Sequence, residues 1–393
     1  MPSGRAVLEY EDGQKLWELA GVTQTAVSAD GSTAALLTGD YEVFVSRLPE
    51  PPRRVAGGPY LGPALSGDGR LLLAQRLGTE GHVLNQAFNT RGIALVDLES
   101  GEDRLLLEGN DLYSPSFASD ELVFFGWGGD EGVASLYLLD LASHLVARVT
   151  NREPGARQTF PSETPRLVDA AVAYRADGEA FRVPAPAPGD FAPVVPRFDR
   201  PEIVDDEPVA PNFGTVKLRR PNTQSNVPPI HFYYDLNPNA QQIKDWNCSV
   251  LTYDRHEGTD INQSMGFDVV APALGKVVMR NDGCANQNSQ GCGGGFGNYV
   301  GLRHRDGGIS IEAHGMKWTV VELGARQACG SVIMQSASSG NSQSPHIHHE
   351  SWKDQFSQNK KYDPYRGSCD NNDPTKWGSQ GPYLGLPGAS CVN

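Results

Sequence analysis

All six cysteines of this chain, Cys248, Cys284, Cys292, Cys329, Cys369 and Cys391, lie in its C-terminal part. An even number confined to one stretch, without a CxxC pair, is the pattern of a disulfide framework and not of a thiolate metal site. The second part of the chain is therefore expected to fold as its own cross-linked unit, in an oxidising compartment. Sequence does not choose among the pairings, although Cys284 with Cys292 and Cys369 with Cys391 would close short local loops. Seven of the nine histidines fall in the same region, between His231 and His349, whereas only His82 and His144 lie outside it. Imidazoles gathered in a cross-linked unit are the first sign of a metal site.

At 393 residues the chain exceeds what one core usually supports, so two domains are expected. The net charge of −14 is uneven: residues 1–229 carry 20 Lys+Arg against 32 Asp+Glu, and residues 230–393 carry 13 against 15. No basic patch accompanies the histidines, which leaves nucleic-acid binding without support. No apolar run is long enough for a membrane span. The opening MPSGRAVLEYEDGQKLWELA has charges throughout and no apolar h-region, so a secretory signal would have to come from upstream of this start.

Residues 1–183 repeat a theme in which a Ser-x-Asp-Gly-like turn feeds an apolar strand. SADGSTAALL (28–37), SGDGRLLLAQ (66–75) and the looser FASDELVFFG (117–126) carry its first half. IALVDLESGEDRLLLEG (93–109) and LYLLDLASHLVARVTN (136–151) carry the second, about one blade length apart. Short strands recurring at this interval resemble a stretch of TolB- or WD40-like β-propeller, whole or partial, with a plain antiparallel sandwich as the competing reading. Such a domain would serve as a platform for a wall or protein ligand, or as a spacer. Residues 184–229 hold eleven of the 28 prolines and read as a semi-extended linker, parts of which pack on a neighbouring domain. The fold class is all-β.

Three segments carry candidate chemistry: RHEGTDI (255–261), IEAHGM (311–316) and SPHIHHE (344–350). His256 and Asp260 are four apart, and on a straight strand they would stand about 13 Å from each other, too far to share one ion. Glu-Gly-Thr is a poor helix interior, so the chain is expected to curl at Gly258. His346 and His348 alternate on a strand and point to one face, with Ile347 and His349 on the other.

In order, HEGTD (256–260), APALGKV (271–277), GFGNYVGLRHRDG (295–307), AH (313–314) and HIHHE (346–350) resemble the lysostaphin/LytM family of zinc endopeptidases over residues 246–351. The resemblance implies an antiparallel β-sheet peptidase domain with a metal-binding groove, here residues 230–393 with a disulfide-pinned C-terminal extension. It implies one zinc ion held by His256, Asp260 and His348, with His314 and His346 as catalytic histidines, their division of labour left open. Glu350 is read as a partner of a ligand, His304 as structural, and the glycines of 291–298 as turn residues. Glu312, Gly315 and His349 depart from the family pattern and are expected to touch the groove wall.

The function implied is an exported zinc metalloendopeptidase, extracellular or periplasmic, that cuts cross-bridge or stem peptides of bacterial peptidoglycan. A secreted protease acting on glycine-rich proteins and a non-catalytic LytM-like module that binds wall or a partner are the alternatives.

Overall fold

The computed structural model describes the chain apart from residues 1–3, 10–14, 40, 78–89, 110–111, 129–131, 154–155, 195–214, 226–228, 238–241, 354–360, 371–373 and 393. The repeated turns form as local chemistry dictates. The Ser28 hydroxyl donates to Asp30 at 2.6 Å and accepts the Thr33 N–H at 3.0 Å, and Ser66 repeats this with Asp68 at 2.6 Å and Leu71 at 2.9 Å. Gly31 and Gly69 close these turns at φ 71° and 67°, a region that disfavours a side chain. Each turn launches an apolar strand.

The chain divides into two compact units, residues 1–80, 86–127 and 135–199 in one, and 81–85, 128–134 and 200–393 in the other. The first is a succession of antiparallel sheets. Strands β1 (Gly4–Glu9), β2 (Lys15–Val27), β3 (Thr33–Thr38), β4 (Val43–Arg47) and β5 (Arg53–Arg54) form one, and β6 (Tyr60–Leu65), β7 (Leu71–Leu77), β8 (Thr90–Asp97) and β9 (Asp103–Glu108) the next. Then come β10 (Leu112–Phe117), β11 (Leu122–Trp127), β12 (Ser135–Asp140) and β13 (Val146–Arg148), and lastly β14 (Arg166–Val168), β15 (Ala171–Ala176) and β16 (Glu179–Pro184).

The β-propeller expected for residues 1–183 is not formed. A propeller hides its strand edges by bringing the last sheet back to the first. Here no sheet closes among the described residues: β1 pairs only with β2, and β14–β16 pair only with one another. Apolar surface is buried between successive sheets instead. Leu37, Val43, Tyr60, Leu72 and Val96 pack between the first two, and Leu73, Leu107, Val123, Phe125 and Leu139 between the second and third. The repeat was legible, but repetition alone does not specify a ring.

The second unit is built on one sheet in the order β17 (Ile230–Phe232), β18 (Thr259–Asn262), β25 (His346–Trp352), β22 (Ile309–Gly315), β21 (Asn298–His304), β20 (Gly275–Asn281), β23 (Arg326–Gln327), with β26 (Lys361–Tyr362) pairing to β25. A two-stranded ribbon, β19 (Asp268–Val270) with β24 (Val332–Gln335), accompanies it. Every residue of β21, β22 and β25 is buried, so polar residues on these strands need partners inside the protein. The core gathers Tyr233, Trp246, Ile261, Val300, Ile347, Tyr365 and Trp377. From the Pro-rich segment, Leu218 joins this core and hydrogen-bonds to Lys376 and Gly378. The tail aromatics Tyr365 and Trp377 are packed rather than displayed.

Disulfides join Cys248 to Cys369, Cys284 to Cys292 and Cys329 to Cys391. Of the two local loops considered from sequence, only Cys284–Cys292 forms; Cys369 and Cys391 each reach far back along the chain. Among the described residues no helix is long and apolar enough to cross a membrane.

Candidate metal centre

His256 precedes β18, and the chain bends at Gly258 before Asp260 enters the strand. A Cβ at Gly258 would lie 2.6 Å from His348 Cε1 and 2.7 Å from the His349 carbonyl, so a glycine is required for the bend to nest against β25. Asp260 is the direct cross-strand partner of His348. Alternation on β25 puts His346 and His348 on one face.

His314 reaches that face by a different route. Ala313 pairs with His348 and Glu312 with His349, so strict alternation would turn His314 to the side of Glu312, away from the site. The pairing of β21 with β22 slips between Asn298 and Val300, a bulge, and His314 takes φ 63°. This left-handed residue brings its ring within 4.7 Å of the His346 ring and 5.7 Å of the His348 ring, centroid to centroid. The unfavourable backbone is held by Phe296, whose carbonyl accepts the His314 N–H at 2.9 Å.

Asp260 Oδ1 lies 3.1 Å from His256 Nε2 and 2.9 Å from His348 Nδ1, and the two nitrogens are 3.3 Å apart. All three side chains are buried. Ligands about 2.0–2.1 Å from a tetrahedral zinc stand about 3.3 Å from each other, so one His/Asp/His set of this size fits a zinc ion with one position left open. His346 Nε2 is 3.5 Å from the same Asp260 oxygen.

The outward nitrogen of each imidazole is tied down. His256 Nδ1 meets the Tyr233 carbonyl at 2.6 Å, His314 Nδ1 the Ser339 carbonyl at 2.7 Å and His346 Nδ1 the Ser344 carbonyl at 2.8 Å. A carbonyl only accepts, so each Nδ1 carries the proton and each Nε2 turns a lone pair inward. His348 is reversed: Nε2 faces Glu350 at 3.2 Å, which leaves Nδ1 for the centre.

In the metal-free protein burial raises the Asp260 carboxyl, but His256 and His346, when protonated towards it, hold it well below the usual range. Burial, reinforced by His346 and His348, pushes His314 well below the ordinary histidine value, so its imidazole is neutral. Burial also lowers His348, yet Asp260 and Glu350 outweigh it and carry the metal-free group up to about 10.

The structure thus brings His256, Asp260, His348, His346 and His314 together. It moves two other residues away from where they were expected: Glu312 and His349 do not form the groove wall. They are buried against each other and against Ser351 and the Trp377 ring. Gly315 is buried too, with a Cβ there only 2.5 Å from Met334 Sδ. His304 is structural, held between the Leu274 carbonyl and Ser310. The sequence reading passed over His231, whose exposed ring lies 6.5 Å from that of His346, and Tyr253, which stacks on His256 at 4.3 Å. The sequence signal of His231 was its place in the histidine-rich stretch, and that of Tyr253 its nearness to the HxxxD segment.

A His/Asp/His cluster beside two further imidazoles defines a metal-dependent hydrolytic site. Residues 254–364 match the family model described as Peptidase family M23, and with the donor geometry this makes the domain a zinc metalloendopeptidase. Among solved structures, the catalytic domain of the antimicrobial peptidase lysostaphin from Staphylococcus simulans is 25% identical, over 34% of this chain and 85% of that one, with a TM-score of 0.24. Full lysostaphin is 22% identical, over 38% of this chain and 53% of its own length, with a TM-score of 0.27. A mutant catalytic domain of the prophage-encoded M23 protein EnpA from Enterococcus faecalis is 21% identical, over 40% and 95%, with a TM-score of 0.25. No curated protein matches the chain.

Proposed function

We propose that the chain is an exported endopeptidase that hydrolyses peptide bonds in the cross-bridges or stem peptides of bacterial peptidoglycan, with one zinc bound by His256, Asp260 and His348. The observation that carries this reading is the convergence of inward-facing lone pairs from four histidines, each fixed from behind by an acceptor. The family match and the lysostaphin likeness supply the substrate class, and three disulfides agree with an oxidising compartment.

A zinc held there supplies Lewis acidity and lowers the pKa of the attacking water. The protein supplies the rest. His314, kept neutral by its burial, and His346 offer Nε2 atoms that take the proton from that water and return it to the leaving amine. Once protonated, the same imidazoles stand beside the oxyanion of the tetrahedral intermediate. Their ring orientation is set beforehand by the Ser339 and Ser344 carbonyls, so no reorganisation is needed during the reaction.

The test is incubation of the purified protein with cell walls of different cross-bridge chemistry, with and without chelator, reading the released fragments by mass. Chelator-sensitive fragments cut at one type of peptide bond are expected. Intact walls of every type, together with cleavage of glycine-rich proteins, would replace this substrate with the alternative one.

A further inference from the structure

Lys361 stands on β26 opposite Trp352, and its ammonium is buried, with only 2% of the side chain exposed. It bridges two carboxylates. One is Glu257, next in the chain to His256, and the other is Glu350, whose Oε2 is 3.1 Å from Nζ. Glu350 is fully engaged: Oε1 faces His348 Nε2 at 3.2 Å, and Oε2 also accepts the Trp352 indole N–H at 2.7 Å. The ammonium lies 5.2 Å above the Trp352 ring. A continuous polar line therefore runs from Glu257 through Lys361 and Glu350 to the back of His348.

Taking such charges out of water is costly, and well-packed apolar residues often replace a buried ion pair with no loss of stability. Stability is thus a poor reason for three buried charges here. Their geometry offers a better one. A carboxylate behind a ligating imidazole fixes its tautomer and ring orientation, but only if the carboxylate itself cannot turn. Trp352 and Lys361 grip Glu350 on the oxygen next to the one that meets His348.

We propose that Lys361 is a positioning residue for the metal centre, clamping Glu350 so that His348 presents Nδ1 to the zinc. Lys361 lies beyond the five motifs that carry the lysostaphin/LytM resemblance, though within the residues that match the Peptidase family M23 model. The inference rests on the zinc reading above.

The experiment measures zinc affinity of the full chain by competition with a chromogenic chelator, for wild type, Lys361→Met, Lys361→Arg and Glu257→Gln, with unfolding of each metal-free protein as a control. Lys361→Met is expected to weaken binding about 10–100-fold and Lys361→Arg to restore most of it, and because metal-free Lys361→Met leaves Glu257 and Glu350 buried without their cation and so also loses stability, affinities are compared where every variant is folded. Wild-type affinity in Lys361→Met overturns the proposal, as does an Arg variant no better than Met. If Lys361→Met does not fold, Glu257→Gln decides: weakened binding supports the clamp and unchanged binding overturns it. A wild-type chain that takes up no zinc would instead bring down the zinc reading itself.

Discussion

Glu312 Oε1 and His349 Nδ1 face each other at 2.8 Å across neighbouring strands, and neither side chain has any exposed surface. Two of the three positions that depart from the family pattern, Glu312 on β22 and His349 on β25, are therefore one feature: each is the other's partner. Removing one partner leaves the other's buried polar atoms unsatisfied, which costs about 1–3 kcal/mol, whereas replacing both with apolar residues of similar volume is close to neutral. Glu312→Ala is expected to lower the stability of the second unit by that amount, and Glu312→Leu combined with His349→Phe to recover most of it. Denaturant unfolding of the three proteins checks this, and a double variant as unstable as the single one contradicts it.

Ligands and catalysts separate by what their loss removes. His256→Ala and His348→Ala are expected to lose both bound zinc and hydrolysis. His314→Ala keeps a stoichiometric ion and loses about 10²–10⁴-fold in kcat. Elemental analysis beside a peptide-cleavage assay distinguishes the two patterns, and a zinc-free His314→Ala protein would reassign that residue.

Burial holds the His304 imidazole down to about 4, against an ordinary 6.5. Between these values the unfolded chain binds a proton that the folded one refuses. The contribution of this group is therefore intact above pH 6.5 and lost as pH falls towards 4, by about 3 kcal/mol. His304→Leu should show a flatter stability profile across that window in metal-free protein. Parallel profiles for the two proteins would show that His304 is not the group responsible.

Cys248 and Cys369 are 121 residues apart, and their bond holds the tail against the start of the peptidase unit. Replacing both with serine is expected to cost roughly 2–5 kcal/mol. Thermal unfolding within a degree of wild type would show that core packing around Trp246 and Tyr365 suffices without the bond.

The His256/Asp260/His348 cluster was legible because its members sit at short, patterned spacings: a bend at Gly258 and alternation on β25 are local events that five residues dictate. His314 was placed only by family resemblance, since alternation alone turns it the wrong way and the bulge that rescues it depends on pairing with β21. Glu312 with His349, and Glu350 with Lys361, were invisible for the same reason. They meet through cross-strand register, which no single segment encodes. In the first unit the Ser28 and Ser66 turns disclosed the first two meanders, but whether meanders close depends on their number and twist, and among the described residues they do not close.

The tail returns to the peptidase core twice by covalent bonds, at Cys248–Cys369 and Cys329–Cys391. A protease that severs the backbone anywhere between Trp352 and Lys361 therefore yields two fragments that still travel as one molecule. Lys361 stays tethered beside Glu350 after such a nick. The cut becomes visible on a gel only once thiol reductant is added, so a single band under oxidising conditions is no measure of an intact chain.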